Sequence, residues 1–434
     1  MSPDHTYVLR TVEERGVRFV RLWFVDVLGL LKSTAIPASE LEAALEEGVG
    51  LDGSALEGSA RMQERDVIAH PDPRTFQVLP WRPGSLVARM FCDVRMPDGA
   101  SFAGDSRSAL RRVLGQAADL GFTFQVGTEI EFFLFDDPRD GELPRPLDEG
   151  AYFDLTPLDA ASDFRRRTIE YLEQMGIPVK ASHHEVAPSQ HEIQLQHTDA
   201  LSMADAVTTF RLVVKELARE DGLHATFMPK PLDAHSGSGM HLHLSLFGGD
   251  RNAFHSTNGD GPLSDVGRAF LAGVLAHAGE LAAVTNQWVN SYKRLATGFE
   301  APEQVCWTRH GRSALVRVPA NRPGKEAAAR IELRSPDPSC NPYLCFALVL
   351  AAGLRGIERG YQLPPEVDDV PPPAARRLPE DLHEATELFD ASELARDALG
   401  DRLCDWYVRN KRAEWAEYRG KVTEFERQRF LRRL

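Results

Sequence analysis

The stretch Gly127-Thr-Glu-Ile-Glu-Phe-Phe-Leu-Phe135 has an alternation that is typical of a β-strand. A strand would direct Ile130, Phe132 and Leu134 to one face, and Glu129 and Glu131, beside Phe133 and Phe135, to the other. Two carboxylates that lie this close in a poorly solvated place repel each other, unless a proton or a cation neutralises them. The stretch therefore indicates either a divalent metal site or a sheet rim with two solvated glutamates.

Three further stretches show the same alternation. Their polar residues are His241, His243 and Ser245 in Met240–Leu246, Glu192, Gln194 and Gln196 in His191–Gln196, and Arg330, Glu332 and Arg334 in Arg330–Arg334. Four such strands in one sheet would bury their apolar faces under helices and gather the polar side chains on the other face. A solvated outer face would also alternate, but it would normally carry Lys, Thr and Ser. We therefore predict a polar basin on a rigid sheet.

Composition limits the class of protein. The 434 residues suffice for two or three domains, and 43% hydrophobic and 26% charged residues are usual for a soluble globular protein. A net charge of −14 disfavours a nucleic-acid-binding or anionic-membrane-binding protein. The five cysteines include no Cys-x-x-Cys pair, so we expect the reduced thiols of a cytosolic protein. Because Arg21 and Asp26 interrupt the apolar run Phe19–Leu31, no signal peptide or membrane span is expected.

The predicted elements divide the chain into a small α+β domain, residues 1–105, and a larger domain, residues 106–434. The first contains a hairpin of strands 17–25 and 31–36, a helix Glu40–Glu47 capped by Ser39, and strands 76–79 and 86–94. The second alternates strands with the helices Ser106–Leu120, Ser202–Glu220, Asp265–Ala283 and Asn341–Arg359 before a mainly helical end, 380–434. The Gly- and Ser-rich stretch Gly50–Ser59 is interpreted as a functional loop, with a plain surface loop as the alternative.

The usual nucleotide-binding signatures do not occur. The stretch Pro323-Gly-Lys-Glu326 lacks the first Gly and the hydroxyl residue of a P-loop, and Ser236–Met240 precedes a strand instead of opening a helix. A phosphorylated substrate would instead be held by metal ions and by arginines, which bind phosphate or carboxylate in bidentate fashion. The candidates are Arg294, Arg312, Arg317, Arg330 and Arg334. For any one of them, the alternative is a surface salt bridge.

The chain resembles the bacterial type I glutamine synthetases over nearly its whole length. Ten motifs occur in the order of that family: Asp52–Ala55, Gly127–Glu131, Tyr152–Thr156, His183–Val186, Gln190–Glu192, Phe227–Pro231, Gly237–His241, Asn290–Arg294, Arg312–Ala314 and Arg330–Glu332. The resemblance implies an enzyme that uses ATP to join glutamate to ammonia through a γ-glutamyl phosphate.

The resemblance also implies an architecture. It consists of a small N-terminal β-grasp domain and a larger C-terminal α/β catalytic domain, in which an antiparallel sheet carries the metal site. The expected assembly is a dodecamer of two stacked hexameric rings. There the N-terminal loop of one subunit closes the catalytic basin of its neighbour, which accounts for the composition around Asp52.

Metal ligands follow from the same resemblance. One divalent ion would bind Glu131, Glu185 and Glu192, and a second would bind Glu129, His241 and Glu332. Oxygen-rich ligation suits Mg²⁺ or Mn²⁺ better than zinc. The two ions would neutralise the phosphates of ATP and the transferring phosphoryl group.

The remaining roles concern the substrates. The nucleotide and its phosphates would be held by His243, Ser245, Arg317 and Arg330, and Arg312 would act in catalysis by stabilising, with His243, Arg317 and Arg330, the charge that develops in transfer. Arg294 and Arg334 would hold the carboxylates of glutamate, and Gly237 would give its backbone room. Asp52 of the neighbouring subunit, Tyr152, Glu185 and Glu300 would form the amine site, where ammonium is attracted as a cation and then deprotonated.

Several positions depart from the family pattern. Ala55 and Ser236 replace a common Ser and Asn, Ser189 replaces a Gly, and Arg294-Leu-Ala-Thr-Gly298 replaces Arg-Leu-Val-Pro-Gly. These changes touch the amine and glutamate pockets but spare the metal ligands, so the acceptor is expected to be ammonia or a larger primary amine or polyamine. The stretch Tyr361–Glu366 resembles the loop that carries an adenylylated tyrosine, although the segment before it is shorter here.

Two alternatives stay open. The enzyme could use another carboxylate in place of glutamate. A protein of this type could also serve as a noncatalytic assembly or nitrogen-responsive binding partner. Such a protein would be expected to lose metal ligands, whereas all six candidates are present here.

Overall fold

The computed structural model describes residues 3–59, 65–81, 86–137, 145–256, 262–296, 301–311, 313–321, 324–367 and 376–434. Within these ranges, no helix combines the length and the apolar character needed to cross a membrane. All five cysteines are buried and unbridged.

The N-terminal part of the chain is built on a six-stranded sheet. Its elements are α1 (Pro3–Arg15), β1 (Phe19–Val25), β2 (Leu31–Pro37), α2 (Leu41–Glu47), β3 (Val49–Asp52), β4 (Asp66–Pro71), β5 (Gln77–Val78) and β6 (Val87–Arg95). The strand order is β2-β1-β6-β4-β3, with β5 also paired to β6. The predicted hairpin is present as the antiparallel pair β1–β2, and β1 runs parallel to β6.

Three details of this part differ from the prediction. Ser39 does not cap α2, because it lies inside a 3₁₀ turn, Ala38–Glu40, whereas a capping residue needs an extended backbone. Helix α1 and strand β4 had no clear sequence signal. Strand β3 overlaps the start of the stretch interpreted as a loop, and the 3₁₀ turn Gly53–Leu56 and residues 57–59 form the rest of it.

The C-terminal part carries a nine-stranded sheet. Its strands are β7 (Thr123–Asp136), β8 (Val179–His184), β9 (Gln190–Asp199), β10 (Leu223–Thr226), β11 (Met240–Gly248), β12 (Arg251–Asn252), β13 (Gln304–Thr308), β14 (Ala314–Arg317) and β15 (Ile331–Leu333). The order is β13-β14-β15-β11-β7-β9-β8, with β10 on β7 and β12 on β11. Neighbours are antiparallel, except that β13 and β14 run parallel.

Helices of this part pack against one face of the sheet and against one another, except the last, which has no buried residue. They are α3 (Ser106–Asp119), α4 (Ser162–Gln174), α5 (Ala200–Glu220), α6 (Asp265–Thr285), α7 (Val289–Leu295), α8 (Pro342–Arg359), α9 (Leu382–Asp390), α10 (Glu393–Leu399), α11 (Asp401–Arg419) and α12 (Glu424–Phe430). As predicted, Ile130, Phe132 and Leu134 are fully buried in the main core, where the ring of Phe132 lies 6.0 Å from that of Phe210 in α5. Phe133 and Phe135 belong to a separate small cluster. The sheet therefore leaves the opposite face to its polar side chains.

A buried group of ions joins the two parts, and we call it the junction cluster. It comprises Asp72, Asp93, Asp205, Arg107 and Arg111. The Arg107 guanidinium contacts Asp72 Oδ2 at 3.0 Å and Asp205 Oδ2 at 2.9 Å, and it also pairs with Asp93. Arg111 Nη2 reaches Asp72 Oδ2 at 2.6 Å. Strands of the small sheet are thus tied to α3 and α5 of the larger part by charges that the chain itself balances.

Candidate active site

The strand register gathers the polar residues predicted from the alternation. On β7, Glu129 faces His241 of β11 on one side and Gln194 of β9 on the other. Glu131 faces Glu192 of β9, which in turn faces His183 of β8. On the far side of β11, Glu332 of β15 faces His243. The four predicted strands, together with β8, therefore present acidic and imidazole groups on one face of one sheet. We call the five glutamates of this face the acidic basin: Glu129, Glu131, Glu185, Glu192 and Glu332.

One group of possible metal ligands consists of Glu129, His241 and Glu332, whose ligand atoms lie within 4.8 Å of one another. His241 Nδ1 is 3.4 Å from Glu129 Oε2 and 3.7 Å from Glu332 Oε1. Glu332 is 1% exposed and accepts hydrogen bonds from Arg317 Nε at 2.8 Å and Arg334 Nη1 at 2.7 Å. Both carboxylates of this group already have cationic or imidazole partners.

A second group consists of His183, Glu185 and Glu192, again within 4.8 Å. His183 Nε2 lies 2.8 Å from Glu185 Oε1 and 3.8 Å from Glu192 Oε1. His183 thus occupies the place in this triplet that the resemblance gives to Glu131. Glu131 lies beside the group, with Oε2 accepting hydrogen bonds from Gln190 Nε2 at 2.9 Å and the backbone N of Gly239 at 2.8 Å.

The glutamates of the acidic basin differ in the direction in which their pKa values are shifted. Burial and the repulsion of Glu185 raise the pKa of Glu131 to about 8. Burial, together with Glu129, Glu131 and Glu185, raises the pKa of Glu192 well above its usual value. Burial also acts on Glu129, but hydrogen bonds from His241 and His243 outweigh it and lower the pKa of Glu129. For Glu332, interactions with His241, His243, Arg334 and Arg317 likewise outweigh burial and lower its pKa.

This donor set fits divalent cations. Carboxylate oxygens predominate, which suits Mg²⁺ or Mn²⁺, and one imidazole accompanies each group. Glu131 and Glu192 are buried without enough positive charge from the chain, so a bound cation would relieve a cost that the protein otherwise bears.

Two cavities flank these groups. A small one, of about 30 Å³, is lined by Glu131, Glu185, Gly237, Arg294 and Arg334, among others. A side chain on Gly237 would lie 2.2 Å from the carbonyl oxygen of Pro229 and 3.1 Å from Arg294 Cγ, so glycine keeps Arg294 in place. Arg294 is 4% exposed and donates to the carbonyl oxygens of Ser335 at 2.7 Å and Arg334 at 3.1 Å.

The second cavity, of about 270 Å³, lies farther along β11, beside His243 and Ser245. It is lined by Gly127, Lys180, Leu195, His197, His243, Ser245, Arg330 and residues 327–329. Arg330 Nε donates to His243 Nδ1 at 3.2 Å. Three of the four described residues predicted to bind phosphate thus share one cavity. The fourth, Arg317, pairs with Glu332 at the edge of the same sheet.

Comparison with known protein families matches two parts of the chain to two domains of one family. Residues 103–430 match the model of the glutamine synthetase catalytic domain, and residues 16–97 match that of the glutamine synthetase beta-Grasp domain. The chain belongs to the glutamine synthetase family. It is therefore a glutamine synthetase-type ligase with an N-terminal β-grasp domain and a larger catalytic domain.

Individual relatives of the family cover the chain from end to end. Glutamine synthetases of Mycolicibacterium smegmatis and Mycobacterium tuberculosis are each 55% identical to it over 99% of this chain and 100% of the relative. A glutamine synthetase of Halobacterium salinarum is 45% identical over 100% of this chain and 98% of its own. A solved structure of a GmaS/ADP complex has a TM-score of 0.90 at 34% identity, covering 98% of this chain and 99% of that chain.

The residues that the family resemblance gives to the amine site are only partly described. Glu300 and Arg312 lie outside the described residues. Asp52 caps the 3₁₀ turn of its own chain, accepting from Ser54 N at 2.9 Å and Ser54 Oγ at 2.7 Å. Tyr152 is 41% exposed, and its ring lies 5.5 Å from that of His183, the partner of Glu185. Tyr152 therefore lies at the open edge of the second metal-ligand group.

Several residues of this glutamine synthetase-type site had no assigned role. His183 and Gln190 lie inside motifs that match the family, and Gln194 lies on a predicted polar face, so the motifs were the signal for the first two and the alternation was the signal for the third. Gln194 Nε2 donates to Glu192 Oε1 at 2.8 Å. Lys180 and His197 of the larger cavity lie at positions where the sequence gives no distinguishing pattern.

Proposed function

We propose that the protein is an ATP-dependent ligase that joins the γ-carboxylate of glutamate to ammonia or a primary amine through a γ-glutamyl phosphate. The observation that carries the proposal is the set of two adjacent acid–imidazole groups between a small cavity lined by the buried Arg294 and Arg334 and a larger cavity lined by the half-buried Arg330. In this arrangement a phosphate donor and a carboxylate acceptor would meet over bound cations. Mg²⁺ or Mn²⁺, when bound, would neutralise negative charge on the phosphates.

The chain's own residues would bind and orient the substrates. On the smaller cavity, Arg294 and Arg334 supply buried positive charge for the carboxylates of glutamate. On the larger cavity, His243, Ser245 and Arg330 supply donors for the phosphates of ATP. Arg317 and, from outside the described residues, Arg312 are proposed to stabilise the charge that develops in transfer.

The nucleophile is proposed to arrive as a cation. Tyr152, Glu185 and Glu300, together with Asp52 of a neighbouring subunit, would attract an ammonium group. A carboxylate of this set would then take its proton, because only the free amine has a lone pair for attack on the γ-glutamyl phosphate. The leaving group is inorganic phosphate, and the product is a γ-glutamyl amide.

Two acceptors have separate support. Ammonia is favoured by the 55% identity to proteins named glutamine synthetase. A larger amine is favoured by Ala55, which follows Ser54 in the turn capped by Asp52 and carries a methyl group where the family commonly has a hydroxyl. An alkylammonium brings fewer N–H groups than ammonium, and its apolar stem tolerates a methyl wall. Glu57, which could have met the far charge of a polyamine, is instead buried and paired with Arg409.

Phosphate release tests both the reaction and the acceptor. It is measured with glutamate, ATP and Mg²⁺ against ammonium, ethanolamine, putrescine and spermidine, and each carboxylate tried in place of glutamate forms a control. We expect activity with a diamine or polyamine that equals or exceeds activity with ammonium. In Ala55→Ser, the preference should shift toward ammonium by about 2- to 10-fold, as one hydrogen bond is worth about 0.5–1.5 kcal/mol. A strong preference for ammonium that the substitution leaves unchanged would make the protein an ordinary glutamine synthetase.

We also propose that the active site is shared between subunits of a ring-shaped oligomer, up to a dodecamer. Asp52→Ala and Glu332→Ala proteins, each inactive alone, should regain activity when co-assembled, since mixed rings contain some interfaces with both residues intact. Absence of recovery in demonstrably mixed rings would show that Asp52 acts within its own chain.

A further inference from the structure

Gln190 begins β9, is 1% exposed, and uses its side-chain amide fully as a donor. One N–H of Nε2 is directed to Glu131 Oε2 at 2.9 Å and the other to the carbonyl oxygen of Gly237 at 3.0 Å. Its Oε1 accepts from the backbone N of Ala187 at 3.2 Å. One buried amide thus fixes three separate pieces of backbone and side chain.

These three pieces belong to different parts of the site. Glu131 belongs to the acidic basin, Gly237 precedes β11 beside Arg294, and Ala187 lies in the turn between β8 and β9. The same turn carries Glu185, whose backbone N donates to the carbonyl oxygen of Gln190 at 2.7 Å. Gln190 therefore contacts Glu131, a candidate metal ligand, and Gly237, beside the proposed glutamate site. It also contacts the turn that carries Glu185 of the proposed amine site.

The effect on Glu131 is specific to one oxygen. Oε2 accepts from Gln190 Nε2 and from Gly239 N, whereas Oε1 has no hydrogen-bond partner among the residues that the structure describes. Two donors on one oxygen fix the rotation of the carboxylate and leave the other oxygen for a cation. Rotation of Glu131 toward a bound cation would pull on Gln190 and, through it, on the carbonyl group of Gly237.

We infer that Gln190 is a positioning residue that couples cation binding at Glu131 to glutamate binding beside Gly237. The inference rests on the proposed function, because it takes the small cavity as the glutamate site. Coupling of this kind is reciprocal, so the cation should tighten glutamate binding by the same factor as glutamate tightens cation binding. Partners that orient a metal ligand typically change metal affinity by about 10- to 100-fold when they are replaced.

The test uses the full-length oligomer and three variants. Gln190→Glu keeps the shape but removes both donors and adds a charge next to Glu131, and Gln190→Met removes the donors without adding charge. Gln196→Glu is the matched control, since Gln196 lies exposed on the same strand and donates only to the carbonyl oxygen of Val179, at 3.4 Å. Mn²⁺ binding is measured by titration calorimetry with and without glutamate, and glutamate binding with and without Mn²⁺. Thermal unfolding and light scattering verify the fold and the assembly.

We expect the wild type and Gln196→Glu to bind Mn²⁺ more tightly when glutamate is present. In Gln190→Met, Mn²⁺ affinity should fall by about 10- to 100-fold, and the enhancement by glutamate should disappear. The KM for glutamate should rise more than the KM for ATP, a split that a general loss of stability would not produce. In Gln190→Glu the enhancement by glutamate should disappear as well, because both donors are lost, and if this variant does not fold, Gln190→Met decides.

Two results in the Gln190 variants would overturn the inference. The first is a folded Gln190→Met protein with wild-type Mn²⁺ affinity. The second is a variant with weaker Mn²⁺ binding in which glutamate still enhances that binding as in the wild type. Failure of the proposed function is separate: a wild type that turns over glutamate but shows no coupling overturns the inference alone, whereas a wild type that neither binds nor turns over glutamate overturns both.

Discussion

The junction cluster and the acidic basin are two buried groups of carboxylates with opposite electrostatics. In the junction cluster, burial opposes ionisation of Asp72, but hydrogen bonds and charges from Arg74 and Arg107 outweigh it and hold the pKa of Asp72 well below its usual range. In the acidic basin, burial and neighbouring carboxylates raise the pKa of Glu131 to about 8. Both groups are largely buried, but the chain pairs all three junction aspartates with a guanidinium group, whereas among the described residues it does not do so for Glu131 and Glu192 of the acidic basin.

This difference separates a structural group from a binding group. A buried charge is costly unless it is paired, and the chain pairs the junction carboxylates with Arg107 and Arg111. Glu131 and Glu192 lack a guanidinium or ammonium partner among the described side chains within hydrogen-bond reach. Perturbed carboxylates of this kind are typical of functional sites, because the missing positive charge is left to a ligand.

Removal of the cation from the junction cluster should have the largest effect. Arg107→Met keeps most of the volume of the side chain but leaves three buried aspartates without their shared partner. We expect the free energy of unfolding to fall by about 3–5 kcal/mol. Urea unfolding followed by circular dichroism measures it.

The control for this variant is Arg74→Met. Arg74 contacts the same Asp72 Oδ2 at 3.1 Å, but its side chain is 63% exposed, so we expect a loss of at most about 1 kcal/mol. If Arg107→Met were as stable as Arg74→Met, the junction cluster would not be the internally balanced group described above.

Removal of a carboxylate from the acidic basin should affect activity and spare the fold. Glu131→Gln removes one anionic ligand at constant size, so turnover should fall by about 10²- to 10³-fold, or about 3–4 kcal/mol in the activation barrier. Without metal, the variant should unfold no more easily than the wild type, because a repulsion with Glu185 is lost. Activity at saturating Mg²⁺ and thermal unfolding in EDTA give the two values. Wild-type turnover would rule out Glu131 as a ligand.

A divalent cation added to the solution should bind to and stabilise the acidic basin but should have no such effect on the junction cluster. At Mg²⁺ concentrations about 100 times its dissociation constant, binding to the folded state adds about 2.7 kcal/mol of stability. We expect the thermal midpoint of the wild type to rise from EDTA to Mg²⁺, with a smaller rise in Glu131→Gln. In Arg107→Met the midpoint should be lower in both conditions, but the rise should be retained. A wild type that Mg²⁺ leaves unchanged would contradict the cation deficit.

The acidic basin was predictable from the sequence and the junction cluster was not. Alternation in β7, β9 and β11 places Glu129, Glu192 and His241 on one face. This holds for any conformation of the connecting loops, because successive side chains of a strand always point to opposite faces. The junction residues Asp72, Asp93, Arg107 and Asp205 come from a turn, a strand and two helices. No period relates them, and only the packing of the two domains brings them together.

Contacts of side chains across the site were also beyond the sequence. Gln190 was part of a matching motif, but its bonds to Glu131 and Gly237 depend on the turn between β8 and β9. Ser39 was predicted to cap a helix and does not, because one 3₁₀ turn changes its backbone conformation. Local pattern thus predicts faces and elements, whereas caps and cross-strand contacts follow from geometry that several segments set together.

The smallest expected effect concerns Asp105, which lies next to Arg107 of the junction cluster but, like Glu131 of the acidic basin, has a raised pKa. It is buried at the N-terminus of α3 and accepts from the backbone N of Arg107, Ser108 and Val94, but no side-chain cation pairs with it among the described residues. Burial raises the pKa of Asp105 to about 6 from an ordinary value of 3.8. Between these two values the folded state binds more protons than the unfolded state, so Asp105 costs stability as the pH rises through that window and the cost is complete above pH 6.

Asp105→Asn removes this titration and keeps an oxygen that can accept from the helix. Whatever the absolute change in stability, the difference between variant and wild type should shift in favour of the variant as the pH rises from 4.5 to 6.5, by about 1 kcal/mol per pH unit. Urea unfolding at pH 4.5, 5.5, 6.5 and 7.5 measures it, and the difference should be flat between the last two. A constant difference across the series would mean that Asp105 is ionised throughout. The surroundings of the junction cluster would then stabilise the ionised carboxylate of Asp105 without a side-chain cation. The acidic basin does not stabilise the ionised form of Glu131 in this way.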